Sequence, residues 1–148
     1  MTAVMYLAKA PQWSTLTFTS TLYLQPVLDK LLAHVPEAYR EEVRLGLQEA
    51  LVNAAKHGNE LNPQKVVLVR YSIIDEQIHW VITDQGAGFD PPSAYPILIE
   101  DLLPEETSEG GRGLFILYEI FDEVYWNAQG TELSLSKDCH HYLSTLNS

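Results

Sequence analysis

The sequence predicts an α/β fold, a two-layer sandwich of a mixed, mostly antiparallel sheet with helices on one face. Two observations carry this. Segments of strand character fall in adjacent pairs joined by short turns, which is hairpin spacing, and helical segments interrupt those pairs. A doubly wound parallel sheet would need strict strand-helix alternation. The order read here is strand, helix, helix, strand, strand, an irregular stretch, helix, strand, strand. At roughly 100–200 residues per domain, the 148 residues fit a single domain spanning 1–148, with a core of about 13–137.

Each element has its own signal. Trp13 to Thr19 alternates apolar and polar residues, the period of a half-buried strand. Leu24, Val27, Leu28, Leu31, Leu32 and Val35 recur at helical spacing. Pro26 is tolerable in the first turn of that helix, and Pro36 ends it. A longer helix is expected from about Ala38 to His57, with Gly58-Asn59 as its stop signal. Lys65 to Ile74 and Gln77 to Thr83 are rich in Val, Ile and aromatic residues and read as a hairpin turning at Asp75-Glu76. From Asp90 to Gly110 periodicity fails. Such a long irregular run within a compact domain reads as a functional lid, or as a solvated acidic loop. Helical spacing returns from Gly113 to Phe121. Glu123–Trp126 and Thr131–Lys137 form a last hairpin turning at 127–130.

Composition excludes several classes. Apolar residues make up 46% and charged residues 20%, which is globular rather than disordered. Nine Lys and Arg face twenty Asp and Glu, a formal net charge of −11. That charge repels phosphate backbones and anionic lipid, so neither nucleic acid nor a membrane surface is expected as a partner. No apolar run reaches the roughly 18–20 residues of a membrane span. The apolar patch Ala3–Ala8 is too short and wrongly flanked for a secretory signal. The single cysteine, Cys139, allows no internal disulfide and fits a reducing compartment, so a cytoplasmic location is expected. Asp138-Cys139-His140-His141 lacks the spaced ligands of a closed zinc site. Tyr71, Trp80, Tyr125 and Trp126 read as core or sheet-face aromatics.

Three clusters carry candidate chemistry. On the second helix, Val43, Leu47, Ala50, Leu51 and Ala54 gather on one side, while Glu49, Asn53, Lys56 and His57 gather on the other. A carboxylate and an amide one turn apart can hold a hard cation and a water or hydroxyl. A solvated polar face has the same pattern. Asp84-Gln85-Gly86-Ala87-Gly88-Phe89 follows a strand with buried character. An Asp there can accept a hydrogen bond from an exocyclic amine, and glycines admit a ligand close to the backbone; a Gly-rich turn looks alike. Gly110-Gly111-Arg112-Gly113-Leu114 opens a helix, where free N–H groups and the helix dipole suit phosphate and Arg112 adds a planar cation. A hinge ahead of a helix would read the same way. It is neither a Walker loop nor a dinucleotide fingerprint.

In this order the three clusters resemble the N, G1 and G2 boxes of the GHKL ATPase superfamily, and within it the small bacterial anti-sigma factor serine/threonine kinase family. The resemblance covers about Phe18 to Lys137. Its most specific stretches are Glu49–Asn59 and Glu109–Leu114, and Asn127–Leu133 resembles the family's closing hairpin. It implies the Bergerat fold, ATP and Mg²⁺. By the same resemblance Asn53 would ligate Mg²⁺, and Glu49 would be the general base toward a substrate serine. Asp84 would hydrogen-bond the adenine amine, with Gly86 and Gly88 shaping that wall. Gly111 and Gly113 would cradle phosphate, and Arg112 would sit near the γ-phosphate or face the sigma factor. His57 and Leu114 would be further nucleotide-binding positions, and Thr131 would lie behind the adenine pocket. The implied function is a kinase that phosphorylates a STAS-domain antagonist, sequesters a sigma factor and forms a homodimer. Two alternatives stay open: an ATP-loaded sequestering module without phosphate transfer, and the catalytic half of a histidine kinase.

Overall fold

The computed structural model describes residues 12–89 and 109–139, with 109–112 as backbone. Five strands form one sheet: β1 (Ser14–Thr19), β2 (Val66–Ile74), β3 (Gln77–Thr83), β4 (Glu123–Trp126) and β5 (Glu132–Asp138). Their spatial order is β1-β2-β3-β5-β4. Every pairing is antiparallel, so the mixed pairing allowed for in the sequence reading does not occur among the described residues. The helices are α1 (Gln25–Leu31), α2 (Glu37–Val52) and α3 (Glu109–Ile120).

Register decides which residues share a face. Leu16 lies opposite Val69, Val69 opposite Ile82, Ile82 opposite Leu133, and Leu133 opposite Trp126. This row continues through Val67, Trp80, Leu135 and Val124, which are buried in one core with Leu28 and Leu31 of α1, Val43, Leu47 and Leu51 of α2, and Leu117 and Phe121. The intervening row, Thr15, Arg70, Val81, Ser134 and Tyr125, faces away. The fully buried indole of Trp80 meets the Phe121 ring edge to face at 5.6 Å.

α2 and α3 cross on this apolar face. Gly46 lets them close up: a Cβ there would lie 2.5 Å from Cε2 of Phe121. The Lys137 ammonium on β5 donates to the Ile120 carbonyl at 2.9 Å and pairs with Glu42 of α2 at 3.3 Å, tying the end of α3 to both layers.

Two elements differ from the expectations. The long helix is not α-helical to His57. It turns into a π-helical segment over Asn53–Gly58, closed by the Asn59 N–H on the Ala54 carbonyl at 2.9 Å. The following Leu61 N–H reaches the Ala55 carbonyl at 2.8 Å. The widened turn satisfies these backbone groups while the chain swings toward β2. α3 opens at Glu109, four residues before Gly113, so Gly111 lies inside the helix rather than ahead of it and Gly113 one turn in rather than at its start. The predicted lid lies outside the described residues except for 109 and 110, the first residues of α3. The first helix is shorter than expected, ending at Leu31, with the chain turning through Leu32 to Val35.

Candidate functional site

A cavity of about 270 Å³ opens between the end of α2, the start of α3 and the sheet. Asn53, His57, Asp84, Gly88, Leu114 and Thr131, all candidates from the sequence, line it. Its remaining walls are mainly apolar: Ala50, Ala54, Ile82, Phe89, Trp126 and Leu133, with Gly58 and Gly130. Asp84 brings the one carboxylate among these residues.

Asp84 is held by the elements around it. Its own N–H donates to the Thr131 carbonyl at 2.9 Å, which anchors the end of β3 to β5. Its Oδ1 accepts the Gly86 N–H at 2.8 Å. Gly58 packs on the carboxyl group so closely that a Cβ would lie 2.5 Å from Oδ2. Burial pushes this carboxyl above its ordinary value, against the opposing pull of the Gly86 N–H and the Lys65 ammonium. A carboxylate has about four acceptor sites, so the Gly86 bond leaves capacity for a ligand's N–H.

The loop after Asp84 is laced to the β4–β5 turn. The Phe89 N–H donates to the Gln129 carbonyl at 3.1 Å. Gly88 and Gly130 have φ of +85° and +73°, and a Cβ on either would strike the opposing loop's backbone, at Gln129 and Phe89 respectively. Asn127 shapes the turn by accepting the N–H groups of Thr131 and Glu132 at 2.9 and 3.1 Å. The lacing brings the Phe89 ring edge-on to Trp126, 5.5 Å between centroids. Trp126 therefore walls the cavity; the sequence reading placed it in the core or on a sheet face. Its position on the helix-side row, opposite Leu133, was readable from strand alternation.

Glu49 and Asn53 occupy successive turns of α2 and its π continuation, both half-buried. Gly113 of α3 comes down on them: a Cβ there would lie 3.2 Å from Glu49 Oε2 and 3.5 Å from Asn53 Nδ2. The second and third sequence clusters thus meet the first at one place. Gly86 sits behind Asp84 against the Gly58 carbonyl rather than on the cavity wall. Gly111 lies in the first turn of α3, and the Arg112 side chain is outside the description. Asn59, read from sequence as part of a helix stop, is a fully buried polar residue bridging three segments.

Among the described residues no group of three or more His, Cys, Asp or Glu could hold a metal ion. Cys139 is buried, and desolvation pushes its thiol up to about 11. The neighbouring His140 and His141 lie outside the described residues. No described helix is long and apolar enough to cross a membrane.

Residues 21–137 match the family model described as a histidine kinase-like ATPase domain. The chain is 30% identical over 102 residues to serine-protein kinase RsbW of Staphylococcus aureus (strain MRSA252), covering 66% of this chain and 64% of that protein. It is 26% identical over 105 residues to serine-protein kinase RsbW of Bacillus subtilis (strain 168), covering 66% of this chain and 63% of that protein. The chain thus spans somewhat less than two thirds of the length of these curated relatives.

Proposed function

The chain belongs to the histidine kinase-like ATPase domain family, and from that premise we propose that it is an ATP-dependent protein serine/threonine kinase of the anti-sigma type. It would phosphorylate a serine of a STAS-domain antagonist and sequester a sigma factor, acting as a cytoplasmic homodimer. The relatives named as serine-protein kinases support the reaction. The observation that carries it is the meeting of Glu49, Asn53 and Gly113 beside a mainly apolar cavity containing Asp84.

The residues fit the group the family implies. A planar base suits the apolar slot, and the Asp84 carboxylate accepts from an exocyclic amine. Mg²⁺ takes few protein ligands beside waters and phosphate oxygens, so an amide such as Asn53 suffices, and no larger acidic cluster is needed. When bound, the metal neutralises charge on the phosphates.

Phosphoryl transfer asks the protein for position and charge stabilisation more than covalent work. Asn53 would hold the metal, which would supply positive charge at the nucleotide's phosphate end. The opening turn of α3, including Gly111, would offer its N–H groups to phosphate oxygens, while Gly113, one turn in, leaves room beside Glu49 and Asn53. Glu49, one turn from Asn53, accepts the proton of the incoming serine hydroxyl. Arg112 adds positive charge near the transferred group or faces the sigma factor. A phosphoserine then carries about −1.5 to −2 charge. That charge meets an acidic kinase of net charge −11, which favours release of the product and leaves the kinase to the sigma factor.

The test mixes the protein with ATP, Mg²⁺ and candidate STAS-domain proteins and locates phosphoserine by mass spectrometry. Wild type is expected to modify one serine, and Glu49→Gln to bind ATP while losing transfer by at least about 100-fold, the scale of a lost general base. If wild type binds ATP yet modifies none of these proteins, the sequestering module without transfer replaces the kinase.

A further inference from the structure

Asn59 is 0% exposed and closes the π-helical segment behind the cavity. Its Nδ2 donates to Ser20 Oγ and to the Val66 carbonyl, each at 2.9 Å. Its Oδ1 accepts the Gln85 N–H at 2.7 Å. The orientation of the amide is forced, because the Gln85 N–H needs an acceptor and the Val66 carbonyl needs a donor. The Gln85 side chain closes the circuit by accepting the Val66 N–H at 2.8 Å.

The Gln85 N–H belongs to the peptide that leaves Asp84. The peptide entering Asp84 is pinned from the other side, by its N–H on the Thr131 carbonyl at 2.9 Å. Asn59 also follows Gly58, whose α-carbon rests on the Asp84 carboxyl. One side chain therefore fixes both the backbone that carries the carboxylate and the helix end that it leans on. Ser20 Oγ, in turn donating to the Lys65 carbonyl at 2.9 Å, holds Asn59 from the far side.

We propose that Asn59 is a positioning residue that sets the aim of the Asp84 carboxylate, and through it the preference of this site for a base bearing an exocyclic amine. The proposal rests on the adenine-nucleotide reading of the cavity. A satisfied buried network is rigid, and deleting its centre strands buried partners. A stability loss alone would not distinguish positioning from simple support. Discrimination between two bases does.

The experiment measures binding of Mg-ATP and Mg-ITP by calorimetry. The two share ribose and triphosphate, but hypoxanthine carries a carbonyl where adenine carries the amine. Wild type is expected to prefer ATP by about tenfold or more, the discrimination that a hydrogen bond to a charged acceptor supplies. Asn59→Ala is expected to reduce that preference to within about threefold of unity. Asn59→Ser, too short to reach Gln85, does the same if the alanine variant fails to fold. Ser20→Ala, which loosens Asn59 on the side away from Asp84, is expected to lower stability and keep the preference. An Asn59 variant that folds, loses stability and keeps the wild-type preference overturns the proposal. Wild type that binds both nucleotides equally, or neither, overturns the adenine reading itself, and with it the proposal.

Discussion

Asp84 is a carboxylate that the fold has made costly to ionise, and the cost has a defined pH signature. Burial raises its folded-state value above the ordinary 3.8. An acid shifted this way binds its proton more tightly in the native state, so native stability falls as the group ionises. Below pH 3.8 the carboxyl is neutral in both states and nothing is lost; the loss grows as pH rises through the raised value and is complete above it. Asp84→Asn removes the ionisation and keeps an oxygen for the Gly86 N–H. The variant is therefore expected to gain stability relative to wild type across that window, and to hold the gain at neutral pH. It should also bind ATP about 10–100-fold more weakly, since an amide is the poorer acceptor for the adenine amine. Urea unfolding at several pH values, paired with calorimetry, reads both effects. A variant less stable than wild type at neutral pH would mean that the carboxylate is held by partners stronger than its burial.

At the level of elements, the β2–β3 hairpin turns on two non-glycine residues in the left-handed region. Asp75 and Glu76 form a two-residue turn in which both have positive φ, +50° and +65°. Such turns favour Asn-Gly, because a side chain in the left-handed region costs roughly 1–2 kcal/mol per residue. Replacing Asp75-Glu76 with Asn-Gly is expected to stabilise the protein by about 1 kcal/mol, read as a higher urea midpoint at unchanged slope. No gain would mean that side-chain contacts of Glu76 match the strain. This hairpin was legible from sequence because its strands are runs rich in β-branched and aromatic residues around a two-residue gap. The polar stripe of α2 was legible for a similar reason: its period is local. The π segment was not, since widening the turn at Asn53–Gly58 depends on where β2 draws the chain, not on the propensities of Asn-Ala-Ala-Lys-His-Gly. The glycines at 110 and 111 suggested a loop before α3, whereas the helix opens at Glu109; Gly113, expected as its first residue, lies one turn in, close against Glu49 of α2. The role of Asn59 was hidden too, its partners lying 39, 7 and 26 residues away. Trp126 shows the same limit: alternation gives its face, but only Phe89, arriving from another loop, turns that face into a cavity wall.

At the scale of the whole molecule, the field opposes the anionic nucleotide proposed for the pocket. Net charge is −11, and Mg-ATP is itself an anion. On the proposed reading, a nucleotide approaching from solvent would meet repulsion until short-range contacts with Asn53, the N–H groups of α3 and Asp84 took over. Such a field reaches about 30 Å at 0.01 M salt but only about 8 Å at 0.15 M. Added salt should therefore raise the association rate of Mg-ATP, the reverse of what a basic nucleotide site shows. Dissociation, governed by contacts inside the cavity, should change little. The protein supplies its own probe. Trp126 lines the cavity, while Trp80 is fully buried in the core and Trp13 lies over Arg70 on the opposite sheet face. Stopped-flow fluorescence should show a nucleotide-dependent change that Trp126→Phe abolishes, with an association rate rising about two- to fivefold between 0.01 and 0.15 M salt. A rate that falls over this range would mean that cations at the cavity mouth outweigh the acidic surface.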